Sequence, residues 1–141
     1  MFLLASCGYQ SIYANKSSNN FIFQEIVLEG ETNINKKIKE TLKIKEDTGA
    51  VEKNKLLIKS NFLIEETSKN SKGQVSSYRS KLLVKLTITK NNKLIKEKNF
   101  TQDFNYGNRD NKFDLVKYQN EVRNNIIREV TEKINIFLNL E

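Results

Sequence analysis

Apolar and polar positions along the chain follow two different periods, and the places where the period changes mark the elements. Residues 21–28 read Phe-Ile-Phe-Gln-Glu-Ile-Val-Leu, β-branched and aromatic and followed by Gly30, which predicts a strand ending in a turn. The period then lengthens. Ile34, Ile38 and Leu42 recur at helical spacing with Lys36, Lys37, Lys39 and Lys43 turned outward, which predicts an amphipathic helix capped by Thr32 and stopped near Gly49. Leu56 to Ile64 returns to strand alternation, with Leu56, Ile58, Phe62 and Ile64 on one face. The polar run Thr67-Ser68-Lys69-Asn70-Ser71-Lys72-Gly73-Gln74 predicts a hairpin loop. In the long strand after it, Tyr78, Leu82, Val84, Leu86 and Ile88 alternate with Arg79, Lys81, Lys85, Thr87 and Thr89, the mark of a half-buried strand. Asn91-Asn92 suits a two-residue turn with positive φ. A fourth strand follows from Leu94 to about Tyr106, with Leu94, Phe100, Phe104 and Tyr106 expected on one face.

The last segment is helical. Asn111 and Asp114 stand three apart at its start, and Tyr118, Val122, Ile126, Val130, Ile134 and Leu138 then step by four, joined by Leu115, Ile127 and Phe137. The expected order is β-α-β-β-β-α, an α+β fold with two helices packed on one face of a four-stranded sheet. No repeat or linker divides residues 21–141, which read as a single α+β domain. The other face of the sheet is expected to be polar and basic.

Composition narrows the chemistry. The chain of 141 residues carries 24 Lys+Arg against 17 Asp+Glu, a net charge of +7, and 20 of the cations are Lys. With 19 Asn and no Pro, His or Trp, it resembles the product of an AT-rich genome, so part of the charge is compositional drift. The absence of His removes His-based triads, proton shuttles and His metal sites, and a single Cys removes internal disulfides and Cys-rich zinc sites. No Gly-rich phosphate loop occurs, and pairs such as Glu65-Glu66 point to opposite faces of a strand. No catalytic residue, metal site or cofactor is therefore expected.

The N-terminus carries a more specific signal. Met1-Phe2-Leu3-Leu4-Ala5-Ser6 is apolar and ends in small residues, directly before Cys7. Leu4-Ala5-Ser6-Cys7 fits a bacterial lipobox, in which small side chains let a peptidase grip an extended backbone and the new N-terminal thiol carries the lipid. Residues 1–6 thus read as the end of a lipoprotein signal. Residues 7–20 read as a lipidated Cys7 followed by a polar tether rich in Ser and Asn. Several acyl chains on one Cys hold a protein firmly to a membrane, where one chain would not.

Arg79, Lys81 and Lys85 lie along the long strand, with Lys69 and Lys72 at its hairpin. Flexible cations clustered in this way suit phosphate-bearing partners. For a lipidated protein those partners are lipid A phosphates or anionic headgroups, and Lys69, Lys72, Arg79 and Lys81 are the candidate contacts. The competing readings are a small lipoprotein serving as an accessory subunit of another lipid-transport system, and a soluble basic module binding nucleic acid. Sparse Arg and the lack of clustered exposed aromatics argue against nucleic acid.

These features together resemble the lipopolysaccharide-assembly lipoprotein family, LptE. The lipobox followed by Gly8-Tyr9-Gln10 resembles that family's opening. The stretch Gly73-Gln74-Val75-Ser76-Ser77-Tyr78 resembles its second hairpin, and Phe104-Asn105-Tyr106, then Leu115, Glu121 and Arg123, resembles the approach to its long final helix. The resemblance implies a non-catalytic lipoprotein of the outer membrane, facing the periplasm and lipidated at Cys7. It also implies that the chain plugs the β-barrel LptD, helps assemble it, and assists lipopolysaccharide transport to the outer leaflet. Gly8 is consistent with sorting to the outer membrane.

Overall fold

The computed structural model describes residues 21–140. Cys7, the lipobox and the polar tether lie outside the described residues. The elements in chain order are β1 (Ile22–Phe23), β2 (Glu25–Gly30), α1 (Thr32–Thr41), β3 (Lys45–Glu46), β4 (Asn54–Lys69), β5 (Val75–Lys90), β6 (Lys93–Gly107) and α2 (Lys112–Asn139). Strands β2, β4, β5 and β6 form one sheet in that order, with β2 parallel to β4 and the other pairs antiparallel. Both helices cover one face of it, so the α+β fold expected from the pattern is the fold observed.

The core follows the alternation read from the chain. Leu56 and Ile58 of β4, Leu82, Val84 and Leu86 of β5, and Phe100 and Tyr106 of β6 all turn to the helical side and are buried. Ile34 and Ile38 of α1 meet them, as do Val122, Ile126, Ile127, Val130 and Ile134 of α2. At about 3.3 Å per residue, the 16 residues of β4 extend over about 53 Å, and the 28 residues of α2 over about 42 Å. Asn111 caps α2, its side chain accepting from the Phe113 amide at 2.8 Å, and Asp114 adds a negative charge to the first turn.

Five local expectations are corrected. The first strand breaks at Gln24: β1 pairs in parallel with β3 in a separate two-stranded sheet, and only β2 joins the main sheet. The Asn54 side chain holds the break, accepting from the Gln24 amide at 3.0 Å and donating to the Ile22 carbonyl at 3.2 Å. Helix α1 ends at Thr41 rather than near Gly49, because Lys43 adopts φ 55° and turns the chain into β3. Its cap position is Glu31, which makes no side-chain capping bond, and Thr32 is the first helical residue. The first strand of the hairpin runs past the expected start of the loop to Lys69, whereas the second begins at Val75, directly after the expected loop. Finally, a bulge opposite Ile88 and Thr89 shifts β6 by one residue, so Leu94 pairs with Thr89 on the face opposite Phe100.

Candidate functional site: the hairpin end and the outward sheet face

Beyond Ser80 and Tyr106 the β4–β5 hairpin leaves the core behind, and residues 65–70 are exposed. The tip is built by one side chain. Asn70 Oδ1 accepts from the amides of Lys72 and Gln74, each at 3.0 Å, while Asn70 Nδ2 donates to Gln74 Oε1 at 3.1 Å. Gly73 completes the turn at φ 77°, a conformation costly to residues with a Cβ. Below the tip the hydroxyls of Thr67, Ser68, Ser76 and Ser77 bond to one another across the strands, Thr67 to Ser77 at 2.7 Å and Ser68 to Ser76 at 2.6 Å. Asn108 fastens the start of α2 to this neck, its Nδ2 donating to the Val75 carbonyl at 2.8 Å and its amide to the Ser76 carbonyl at 2.9 Å.

The four candidate cations divide into two pairs. Lys69 and Lys72 are exposed at the tip and make no ion pair among the described residues. Arg79 and Lys81 sit lower down on the outward sheet face, half-buried. The Arg79 guanidinium is already engaged, its Nε donating to Asn105 Oδ1 at 2.9 Å and standing 3.9 Å from Asp103 Oδ2. Lys81 has Leu63 and Asp103 as its cross-strand neighbours.

That outward face is less basic than the cation pattern suggested. Lys85 pairs with Glu97 at 3.2 Å and Lys55 with Glu25 at 3.8 Å. Glu29 stands beside Lys59, and Leu57 and Leu83 lie among the charges. Cross-strand partners came to rest on the same face because the register aligned them, and register is not read from charge counts.

Arg109 and Ser80, which the chain pattern did not single out, complete the hairpin end together with three tyrosines that it did. Arg109 lies 4.3 Å from the Tyr118 ring, which packs edge-on against Tyr106 at 5.5 Å, and Tyr106 stacks on Tyr78 at 6.0 Å. Ser80 and Tyr106 share a buried hydroxyl contact at 2.9 Å. The aromatic positions were visible as apolar steps in their elements, but their convergence on Arg109 depends on the path of the loop after Gly107. The whole end presents lysine ammonium groups above a set of hydroxyl and amide groups, an arrangement able to bind phosphate and sugar oxygens. Among the described residues no helix is long and apolar enough to cross a membrane.

The fold and this exposed hairpin define a class: small α+β domains with a long antiparallel hairpin and a final amphipathic helix. Solved structures of that class include rare lipoprotein B from Shewanella oneidensis, with a TM-score of 0.64 and 11% identity, covering 81% of this chain and 92% of that one. An uncharacterized lipoprotein B from Nitrosomonas europaea aligns with a TM-score of 0.59 and 12% identity over 89% of this chain and 87% of its own. A putative lipoprotein from Caulobacter crescentus gives 0.57 and 14% over 87% and 88%. At these identities the likeness is one of fold. No protein-family model and no curated protein matches the chain.

Proposed function

We propose that this chain is a bacterial lipoprotein of the outer membrane, anchored through Cys7 and facing the periplasm. In this reading it plugs and helps assemble the β-barrel LptD and assists lipopolysaccharide transport without catalysis, the role of the LptE family. The observation that carries the reading is a coincidence: a fold found in bacterial lipoproteins, matched over most of both chains, stands behind a Leu4-Ala5-Ser6-Cys7 lipobox. Neither part depends on the other, since the lipobox lies outside the described residues. An exposed polar hairpin also suits a lumen lined by hydrogen-bonding groups better than an apolar patch would.

The test is expression with the full native leader, followed by intact-mass analysis, membrane fractionation and affinity capture. The expected product begins at Cys7, is heavier by a diacylglyceryl and an acyl group, fractionates with outer membranes and brings down a β-barrel. Deleting residues 68–74 is expected to weaken barrel capture while leaving the circular dichroism spectrum unchanged. An unmodified product in the cytoplasm would discard the reading, and capture of an inner-membrane transporter would replace the barrel with another lipid-transport system.

A further inference from the structure

Helices α1 and α2 lie on the same face of the sheet, and a groove of about 560 Å³ runs between the last turn of α1 and the second half of α2. Small-molecule sites span roughly 300–1,000 Å³, so the groove is of ligand size. Its floor is mainly apolar: Leu42 and Ile127 are buried there beside Thr131, whose hydroxyl is used within the helix, donating to the Ile127 carbonyl at 2.6 Å. Its walls are polar. Lys37 and Lys43 stand on the α1 side and Arg128 on the α2 side, and none of the three makes an ion pair among the described residues. Glu132, one turn beyond Arg128, is the single carboxylate in the lining and pairs with none of them, so the groove keeps an excess of positive charge.

Side-chain amides complete the walls. Asn124 Oδ1 accepts from the Lys37 ammonium at 3.2 Å and Asn135 Oδ1 accepts from the Asn139 amide at 3.1 Å, so what each offers a ligand is its Nδ2 donor. Lys43 stands where α1 ends in a Schellman motif: the Ile44 amide donates to the Lys39 carbonyl at 3.0 Å and the Lys43 amide to the Glu40 carbonyl at 3.2 Å. The backbone there is held at φ 55°, and helices favour Gly at this position because a Cβ is disfavoured. The other non-Gly residues at positive φ among the described residues are both Asn, which tolerates it. A lysine at a position suited to Gly works against the fold, and this one lines the groove.

Amide donors and cations over an apolar floor complement a sugar, whose hydroxyls need hydrogen bonds and whose ring has apolar faces, together with a phosphate attached to it. An extended peptide would find no main-chain partners here, because the walls are helices whose backbone groups are bonded internally. We propose that the groove between α1 and α2 is a binding site for a phosphorylated sugar, free or as the headgroup of a lipid. Arg128, Lys37 and Lys43 take the phosphate, the Asn124 and Asn135 amides take hydroxyls, and Leu42 and Ile127 lie under the ring. The site is separate from the hairpin end, since Asn124 lies about 18 Å along α2 from Lys112. It does not depend on an acyl group at Cys7 or on a barrel partner.

The test follows amide chemical shifts of the isotope-labelled full chain during titration with trehalose 6-phosphate, and separately with trehalose and with inorganic phosphate. Shifts are expected within residues 37–43 and 124–135, with an affinity for the phosphorylated sugar at least about tenfold above that for either part alone. Lys37→Gln with Arg128→Gln is expected to lower that affinity at least about tenfold, with the urea midpoint unchanged as the fold control. Lys43→Gly separates binding from folding: it is expected to weaken binding about threefold while leaving the urea midpoint unchanged or raised. Displacement of the sugar phosphate by purified lipopolysaccharide assigns the ligand to a lipid headgroup, and failure to displace it assigns a soluble sugar phosphate; either result supports the site. Shifts confined to the hairpin overturn the proposal, as do undiminished binding of the Lys37 and Arg128 double variant and phosphate binding as tightly as the phosphorylated sugar. Tighter binding of hexaglutamate at the same amides overturns it in favour of an acidic peptide.

Discussion

Gly30 shows how much one residue can carry in this fold. It closes β2 and turns the chain into α1 at φ 87°, and a Cβ placed on it would lie 1.9 Å from the Ser60 carbonyl oxygen of β4. That same oxygen accepts from the Glu31 amide at 3.3 Å, so it has no freedom to withdraw. Both the left-handed backbone and the backbone clash oppose a side chain, and Gly30→Ala should destabilise the domain by at least about 2 kcal/mol, read as a lowered midpoint in urea. Gly73, with a similar φ but open space around it, should tolerate Ala with a loss of about 1 kcal/mol. The chain pattern marked Gly30 as a turn but not as a close approach. The difference arises because Ser60 is thirty residues away and arrives only through the parallel β2–β4 register.

At the scale of elements, what was legible is what depends on neighbours in sequence. The inward positions of β4 and β5 and the long stripe of α2 were readable because burial of one face imposes a period of two or of about 3.6. The Asn91-Asn92 turn was readable for a similar reason. Both residues adopt positive φ, 52° and 63°, the conformation of a two-residue hairpin turn in which Asn is tolerated and Gly preferred. Asn91→Ala and Asn92→Ala should therefore each cost about 1 kcal/mol in chemical denaturation, and Asn92→Gly should be neutral or stabilising. A loss of stability in the Gly variant would mean that the Asn92 side chain has a further partner. The end of α1, the break at Gln24 and the face of Leu94 were not legible. Each is set by a distant group: Lys43 turns the chain so that β3 can meet β1, Asn54 holds Gln24, and the bulge in β6 answers to β5.

The whole molecule is polar along its length, with one pole where residues 1–20 join and the other at a hairpin tip that no other element covers. The candidate cations were found from charge and position, yet their ranking needs the structure. A cation already engaged by Asn105 and Asp103 has less to offer a ligand than one held out in water, because binding must first break or share those contacts. Lys69 and Lys72 have no such partners, and they cap a neck of hydroxyl and amide groups able to take further hydrogen bonds. If the hairpin end receives lipopolysaccharide phosphates, Lys69→Ala with Lys72→Ala should weaken binding of purified lipopolysaccharide by about tenfold and flatten its salt dependence. Arg79→Ala should weaken binding about twofold or less and act mainly on stability, by no more than about 1 kcal/mol for an exposed pair. Titration monitored by fluorescence at two salt concentrations reads both quantities. The reverse ranking would move the contact from the tip to the outward sheet face, where Lys81 and Leu63 adjoin Arg79. That face would then have to bind its ligand in competition with Asp103, and Asp103→Asn should tighten binding instead of leaving it unchanged.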